Sequence, residues 1–319
     1  MKRLFSTVVV ALTAALALSA CGGGDPLASA SPSPAGSGAA STSGGGGDGG
    51  SGGGAGGGGK AVVGSANFPE NVLLAEIYAQ ALQAKGVQVE KKLNIGSREV
   101  LYDQVKSGGL TVLPEYIGSL LAYVDKTTTA KSKDDVVAGL KEKLPAGLEV
   151  LEPAAAEDNN SLTVTRETSQ KVGLTTIEDL VKVAKGYTVG GPPEFQSRQE
   201  KNFKDTYGLE FKEWKKTGDA TADAIKDGTV QVGNVFTTDP KIVINGLVSL
   251  QDTKNAFAAD NVVPLVNKAA ANDTVKDTLN AVSAKLDTPG LLALMKRVSI
   301  DKDDAATVAK DWLTQNGLA

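Results

Sequence analysis

The sequence predicts an α/β fold over residues 60–319, and three observations predict it. Short β-branched runs such as "KAVVGS" and "SLTVT" alternate with segments of helical periodicity. Gly, Pro, Asn and Thr stand at the joints, in the positions that start and stop helices. Four apolar runs also leave through small or turn-forming residues into a helix start: "GSANFPE", "LPEYIGS", "GGPPEFQSR" and "NVFTTDP".

Taken in order, residues 60–65 ("KAVVGS") read as a short buried strand. Asn67 and Glu70 in "NFPE" have the spacing of a capping box, with Pro69 in the first helical turn. Leu73, Leu74, Ile77, Tyr78, Ala81 and Leu82 then recur at helical spacing until Gly86 stops the helix. "VQVEKKLNI" alternates like a strand, "SREVLYDQVKSG" is a helix and "LTVLP" a third strand. That order belongs to a parallel sheet with crossover helices. Tyr78 and Tyr102 sit on apolar helical faces and belong to the core. The pattern resumes with "SLTVT" (161–165) as a strand and "TTIEDLVKVAKG" as a helix with Thr176 near its cap. "YTVGGPPEF" ends a strand in a Gly-Pro turn, "TADAIKDG" is a helix and "TVQVGNVF" a strand. "TTDPKIVINGL" begins again at a cap-rich turn, and three short helices occupy 271–317.

The first 59 residues stand outside this fold. Lys2 and Arg3 precede the apolar run "LFSTVVVALTAALALSA", the order of a secretory signal, and the run is short for a lasting membrane span. It ends in "LSAC", which resembles the lipobox of bacterial lipoproteins. That likeness implies that residues 1–20 are a cleaved signal peptide and that Cys21 carries lipid. Residues 22–59 hold 18 of the chain's 37 glycines and almost no bulky side chain. Such a segment has no apolar surface to offset its ordering entropy. Residues 21–59 are therefore expected to form a disordered tether, spanning roughly 35 Å root-mean-square. Within it "GAGGGGK" (Gly54–Lys60) has the spacing of a phosphate-binding loop. No strand precedes it and Ala61 stands where Ser or Thr is needed, so the match is rejected.

Composition excludes several classes. Beyond residue 59 the chain carries 31 basic and 35 acidic residues and no basic run, which disfavours nucleic acid and anionic membrane surfaces as partners. Histidine is absent and Cys21 is the only cysteine. That removes Ser–His and Cys–His catalysis, intrachain disulfides and nearly all zinc sites. A hydrolase would need a paired-carboxylate or Ser–Lys site, and no spacing proposes one. About 260 residues allow one large domain or two modest lobes.

The strand exits are the candidate site. In open α/β folds ligands bind outside the carboxyl ends of the strands, where helix N-termini offer unpaired N–H donors. Tyr116, Phe195 and Phe236 stand at or just past three of the four exits, in a chain with only 15 aromatic residues. The donors favour a carboxylate or phosphate, and the rings a cation or a flat apolar group.

The blocks "VGSANFPENVLLAEIYAQALQAKG", "NIGSREV", "LPEYIGSLLAY", "SLTVTRET", "GGPPEFQSR", "VFTTDP" and "AKDWLTQNGL" together resemble one family. It is the substrate-binding proteins of osmoprotectant ABC importers, which take up glycine betaine, choline, carnitine and similar quaternary amines. The likeness runs over residues 60–317. It implies a two-lobed, periplasmic-binding-protein-like fold of type II with two hinge crossovers. Lobe 1 would be residues 60–158 plus 260–319, and lobe 2 residues 159–259. The resemblance further implies a small solute held between the lobes, an ABC permease and its ATPase as partners, and no cofactor or metal. It also implies a monomer that is extracytoplasmic and lipid-anchored. Carried over position by position, Tyr116 matches one aromatic wall and Phe236 another, with Thr237 beside it. Ser119 matches a carboxylate-binding hydroxyl, and Arg198 a carboxylate clamp with Phe195 near it. Asn160 and Ala222 stand where further rings are expected, and Ala66 where a lysine is common. The departures imply either a weak glycine betaine binder or a site for a larger polar betaine such as ergothioneine, with Asn160 as a polar partner. A sensory lipoprotein that keeps the fold without transport is the remaining rival.

Overall fold

Two five-stranded sheets of matching design organise the protein, one built from the ends of the fold and one from its middle. The computed structural model describes residues 60–193 and 195–319; the signal segment, Cys21 and the tether lie outside the described residues. The chain runs β1 (Ala61–Ala66), α1 (Pro69–Ala84), β2 (Val89–Gly96), α2 (Arg98–Ser107), β3 (Val112–Tyr116), α3 (Ile117–Val124), α4 (Lys133–Lys143) and β4 (Leu148–Val150). It crosses to β5 (Asn160–Thr165), α5 (Arg166–Val172), α6 (Ile177–Val181), β6 (Thr188–Gly191) and α7 (Phe195–Tyr207). There follow β7 (Glu213–Lys216), α8 (Thr221–Lys226), β8 (Val232–Phe236), α9 (Lys241–Ile244) and β9 (Leu247–Ser249). A second crossing leads into β10 (Val262–Asn267), α10 (Asp273–Ser283), α11 (Thr288–Lys296) and α12 (Ala305–Gln315).

The sheet orders are β2-β1-β3-β10-β4 and β7-β6-β8-β5-β9. β1 is parallel to β2 and β3, and β6 to β7 and β8, as the strand–helix alternation predicts. Each sheet also carries one strand that runs against these. β10 is antiparallel to β3 and β4, and β5 to β8 and β9, so the sheets are mixed rather than purely parallel. The reason lies in where the crossings enter. Val262 at the start of β10 pairs with Tyr116 at the end of β3, and Asn160 at the start of β5 pairs with Phe236 at the end of β8. The chain thus enters each sheet at the carboxyl ends of its parallel strands and must run back along them.

The two crossing segments lie side by side. Asp158 N–H donates to Asp260 O at 3.2 Å, Val262 N–H to Ala156 O at 2.9 Å and Ala154 N–H to Val262 O at 2.8 Å. Glu157 and Asn261 form an isolated antiparallel bridge between them.

Packing follows the helical periodicity. Leu73, Leu74, Ile77, Tyr78 and Leu82 of α1 are buried between the first sheet, α10 and α12. Tyr102 lies with Leu101 and Val105 in the cluster on the other face, so both helical tyrosines are core residues. α6 begins at the cap that Thr176 suggested, which Asp179 closes into a capping box, and it ends sooner than the sequence pattern, giving way to a 3-10 turn at Ala184–Gly186. The Asn67–Glu70 capping box does not form. Phe68 is the N-cap of α1 and makes no side-chain cap bond, while Glu70 is turned inward and buried. Asn71 does the local work instead: its Oδ1 accepts from Ala66 N at 2.7 Å and its Nδ2 donates to Pro114 O at 2.9 Å. This ties the exits of β1 and β3 together. No helix among the described residues is long and apolar enough to cross a membrane.

Candidate functional site

Because both crossings start at strand ends, the exits of β3 and β8 face a common cleft. It holds two chambers. One, of about 290 Å³, is lined by Ser119, Asp125, Lys131, Asn202, Ala256 and Asp260 among others. The other, of about 230 Å³, is lined by Phe195, Asp219, Ala222, Asn234, Phe236 and Asp239 among others. Asn160, Arg198 and Gln199 line both and form the waist between them.

The first chamber is floored by the N-terminal turn of α3 and the returning crossing. Ser119 donates its backbone N–H to Asp260 Oδ1 at 2.9 Å and its hydroxyl to Oδ2 at 2.6 Å. Gly118 permits this approach, since a Cβ there would meet Ala259 O at 2.5 Å. Asp260 is buried, and burial pushes its carboxyl up to about 6 against the opposing pull of the Ser119 bonds. Behind it lie two more buried carboxylates. Glu70 accepts from Tyr116 Oη at 2.7 Å, and Asp158 accepts from Thr238 Oγ1 at 2.6 Å. Burial raises both carboxyls, Asp158 well above the usual range, and their mutual repulsion adds to Asp158's shift. Arg98 and Glu115 brace the end of β3 as a buried pair. Arg98 Nε donates to Glu115 Oε1 at 3.0 Å and Nη2 to Oε2 at 2.9 Å. Among the described residues, no group of three His, Cys, Asp or Glu side chains is placed to hold a metal ion.

The two sheets also touch across the cleft. Lys131, between α3 and α4, donates from Nζ to Asn202 Oδ1 of α7 and to Ala256 O, each at 2.7 Å. Thr237 donates its hydroxyl to Glu157 O at 2.7 Å and accepts from Asn159 N at 2.9 Å.

Of the residues singled out in the sequence, Ser119, Asn160, Phe195, Arg198 and Phe236 line the cleft, as does Ala222. Tyr116 stands elsewhere. It is fully buried beneath α1, its ring stacks on Phe68 at 6.4 Å between centroids, and its hydroxyl is held by Glu70. The expectation that its ring faces a ligand is not met in this structure, because a phenol at that depth needs a polar partner and finds one inside. Thr237 lines neither chamber, and its hydroxyl serves the outgoing crossing. Ala66 is buried at the end of β1, outside both chambers. Sequence reasoning missed Lys131, Asn202, Asp158 and Asp260. One signal was available for the acids: an Asp-Asn pair stands at each crossing, Asp158-Asn159 and Asp260-Asn261.

Residues 59–315 match the family profile described as the substrate binding domain of ABC-type glycine betaine transport systems. The chain belongs to that family. This substrate-binding domain is 27% identical over 274 residues to the glycine betaine-binding protein YehZ of Escherichia coli K12, covering 80% of this chain and 90% of that one. It is also 27% identical over 275 residues to a glycine-betaine-binding protein of Pseudomonas aeruginosa, covering 80% and 88% respectively. Among solved structures, a glycine betaine/carnitine/choline ABC transporter protein superposes with a TM-score of 0.75 at 19% identity, over 81% of this chain and 99% of the other. The substrate-binding domain therefore has the two-lobed, periplasmic-binding-protein-like α/β fold, one lobe to each sheet.

Proposed function

We propose that this domain is the extracytoplasmic solute-binding subunit of an ABC importer, and that it captures a small zwitterionic quaternary amine of the glycine betaine class between its lobes. One observation carries the reading: the strand exits of both lobes meet at a cleft with aromatic rings and carboxylates on one side and Arg198 and Lys131 within reach. Rings and carboxylates attract a cation, and Arg198 and Lys131 an anion. The names of the relatives point to the same ligand class. On this reading lobe 1 is residues 60–158 plus 260–319, lobe 2 is residues 159–259, and the crossings between them are the hinge. Phe236 and Phe195 face the ligand's cation, Asn160, Ser119 and Arg198 offer polar contacts, and Tyr116 and Thr237 support the site from behind. The protein acts as a monomer, without cofactor or chemistry, and delivers its solute to a permease driven by an ATPase. Cys21 carries the lipid that holds it to the membrane, and residues 22–59 are the tether.

Titration calorimetry and thermal shift test the proposal with glycine betaine, choline, carnitine, ergothioneine and uncharged polyols. A ligand that binds only the folded protein adds about 2.7 kcal/mol at a hundredfold excess over its dissociation constant. At least one quaternary amine should bind and raise the melting temperature. Binding of a polyol with no response to any quaternary amine would overturn the assignment.

A further inference from the structure

The ammonium of Lys131 lines the first chamber and makes no salt bridge there. Its two hydrogen-bond acceptors, Asn202 Oδ1 and Ala256 O, are both neutral. Burial lowers its pKa, as expected when an ammonium loses water without gaining a counter-ion. Asp252 acts on it electrostatically but is already engaged. It accepts from Tyr207 Oη at 2.5 Å, from Ala256 N at 2.9 Å and from Phe257 N at 2.8 Å. A lysine has three N–H donors, and two are in use here. The third, and a charge that Asp252 offsets without a salt bridge, would both gain from an entering anion.

The second chamber has the opposite character. Phe195 and Phe236 supply ring faces, Asp219 and Asp239 supply carboxylates, and no lysine lines it. Arg198 also lines it, at the waist shared with the first chamber. Asp260 is bound by Ser119, Asp125 by Thr127 and Asp239 by the Lys241 N–H at 2.8 Å, so the second chamber's appeal to a cation rests on its rings and Asp219.

We propose that Lys131 receives the ligand's carboxylate in the first chamber while the cationic head lies in the second, so that the protein selects betaines whose two charges are well separated. This rests on the betaine-class reading above.

The test compares trimethylammonium carboxylates having one to four carbons between the charges, each beside its methyl ester, which keeps head and chain but not the negative charge. In titration calorimetry the wild type should gain at least about tenfold in affinity from the one-carbon to the three-carbon spacer. It should also prefer each longer acid over its ester by at least about tenfold. Lys131→Met should cut the preference for acid over ester by at least about tenfold. Loss of the contacts to Asn202 and Ala256 weakens acid and ester alike, so their ratio reports the anion contact and not lobe closure. A Lys131→Met protein that keeps the wild-type ratio overturns the role of Lys131 and leaves the betaine reading standing. If the wild type binds none of the acids or esters, both fall together.

Discussion

Asp260 makes the stability of the ligand-free protein depend on pH in a definite direction. It is 7% exposed, and burial carries its carboxyl from 3.8 up to about 6. In the unfolded chain it returns to its ordinary value, so between about pH 4 and 6 the folded state holds the extra proton. A raised carboxyl in the folded state means that stability is greatest at low pH within this window and is lost as pH rises through 6. A shift of about two units at about 1.4 kcal/mol each puts the loss near 3 kcal/mol between pH 4 and 7. Glu70 and Asp158 are raised as well and act with the same sign. Asp260→Asn removes the titration at this site while keeping size and hydrogen bonding. The amide oxygen can accept from Ser119 N–H, and the amide nitrogen can donate to the Ser119 hydroxyl. Urea unfolding at intervals from pH 5 to 8 should show wild-type stability falling with pH. The variant should fall less steeply and be the more stable protein at pH 7.5. Wild-type stability that rises from pH 5 to 7.5, or a variant with an unchanged slope, would refute the account.

Three further outcomes are expected. Arg98→Met leaves Glu115 buried without its partner and should cost about 3–5 kcal/mol in urea unfolding; a loss under about 1 kcal/mol would show the pair to be dispensable. Phe236→Ala removes a ring from the second chamber and should weaken the true quaternary-amine ligand by about 1–2 kcal/mol in calorimetry, with the melting temperature of the free protein little changed. Cys21→Ala should release the protein from membranes into the soluble fraction, and retention at the wild-type level would contradict lipid anchoring at that residue.

The periodic features were legible in the sequence, and the reasons the rest was not are specific. Leu73 to Leu82 announced α1 because its bulky apolar side chains recur at helical spacing, although the helix is buried on nearly every face. Thr176 announced its cap because the hydroxyl and the Asp179 N–H it accepts from lie within one turn. Strand direction left no such trace: β5 and β10 read the same whichever way they run, so the mixed sheets had to be seen. Glu70 satisfied a local capping rule but obeyed a distant one, its carboxylate taken by a tyrosine 46 residues away. The chemistry of Lys131 depends on Asn202 and Ala256, 71 and 125 residues further along the chain. A strand-end ring such as Tyr116 can face either inward or outward on pattern alone, and only the partner of its hydroxyl decides.

The absence of rings at Asn160 and Ala222 acquires a meaning from where these residues stand. Asn160 opens β5 directly opposite Phe236 and lines both chambers, while Ala222 lines the second, so both border the path a ligand would follow through the waist. Aromatic rings here would wall off the second chamber and suit a compact trimethylammonium head enclosed on all sides. A small and a polar residue leave the passage open at the loss of cation–π contacts worth about 1–2 kcal/mol each. An ionic contact at a half-buried ammonium, in surroundings of low effective dielectric, is of comparable size or larger. The site can therefore give up rings without giving up affinity, provided that the ligand carries an anion far enough from its head to reach Lys131. On the proposed reading, the spacing of charge rather than the enclosure of the head decides which solute is held.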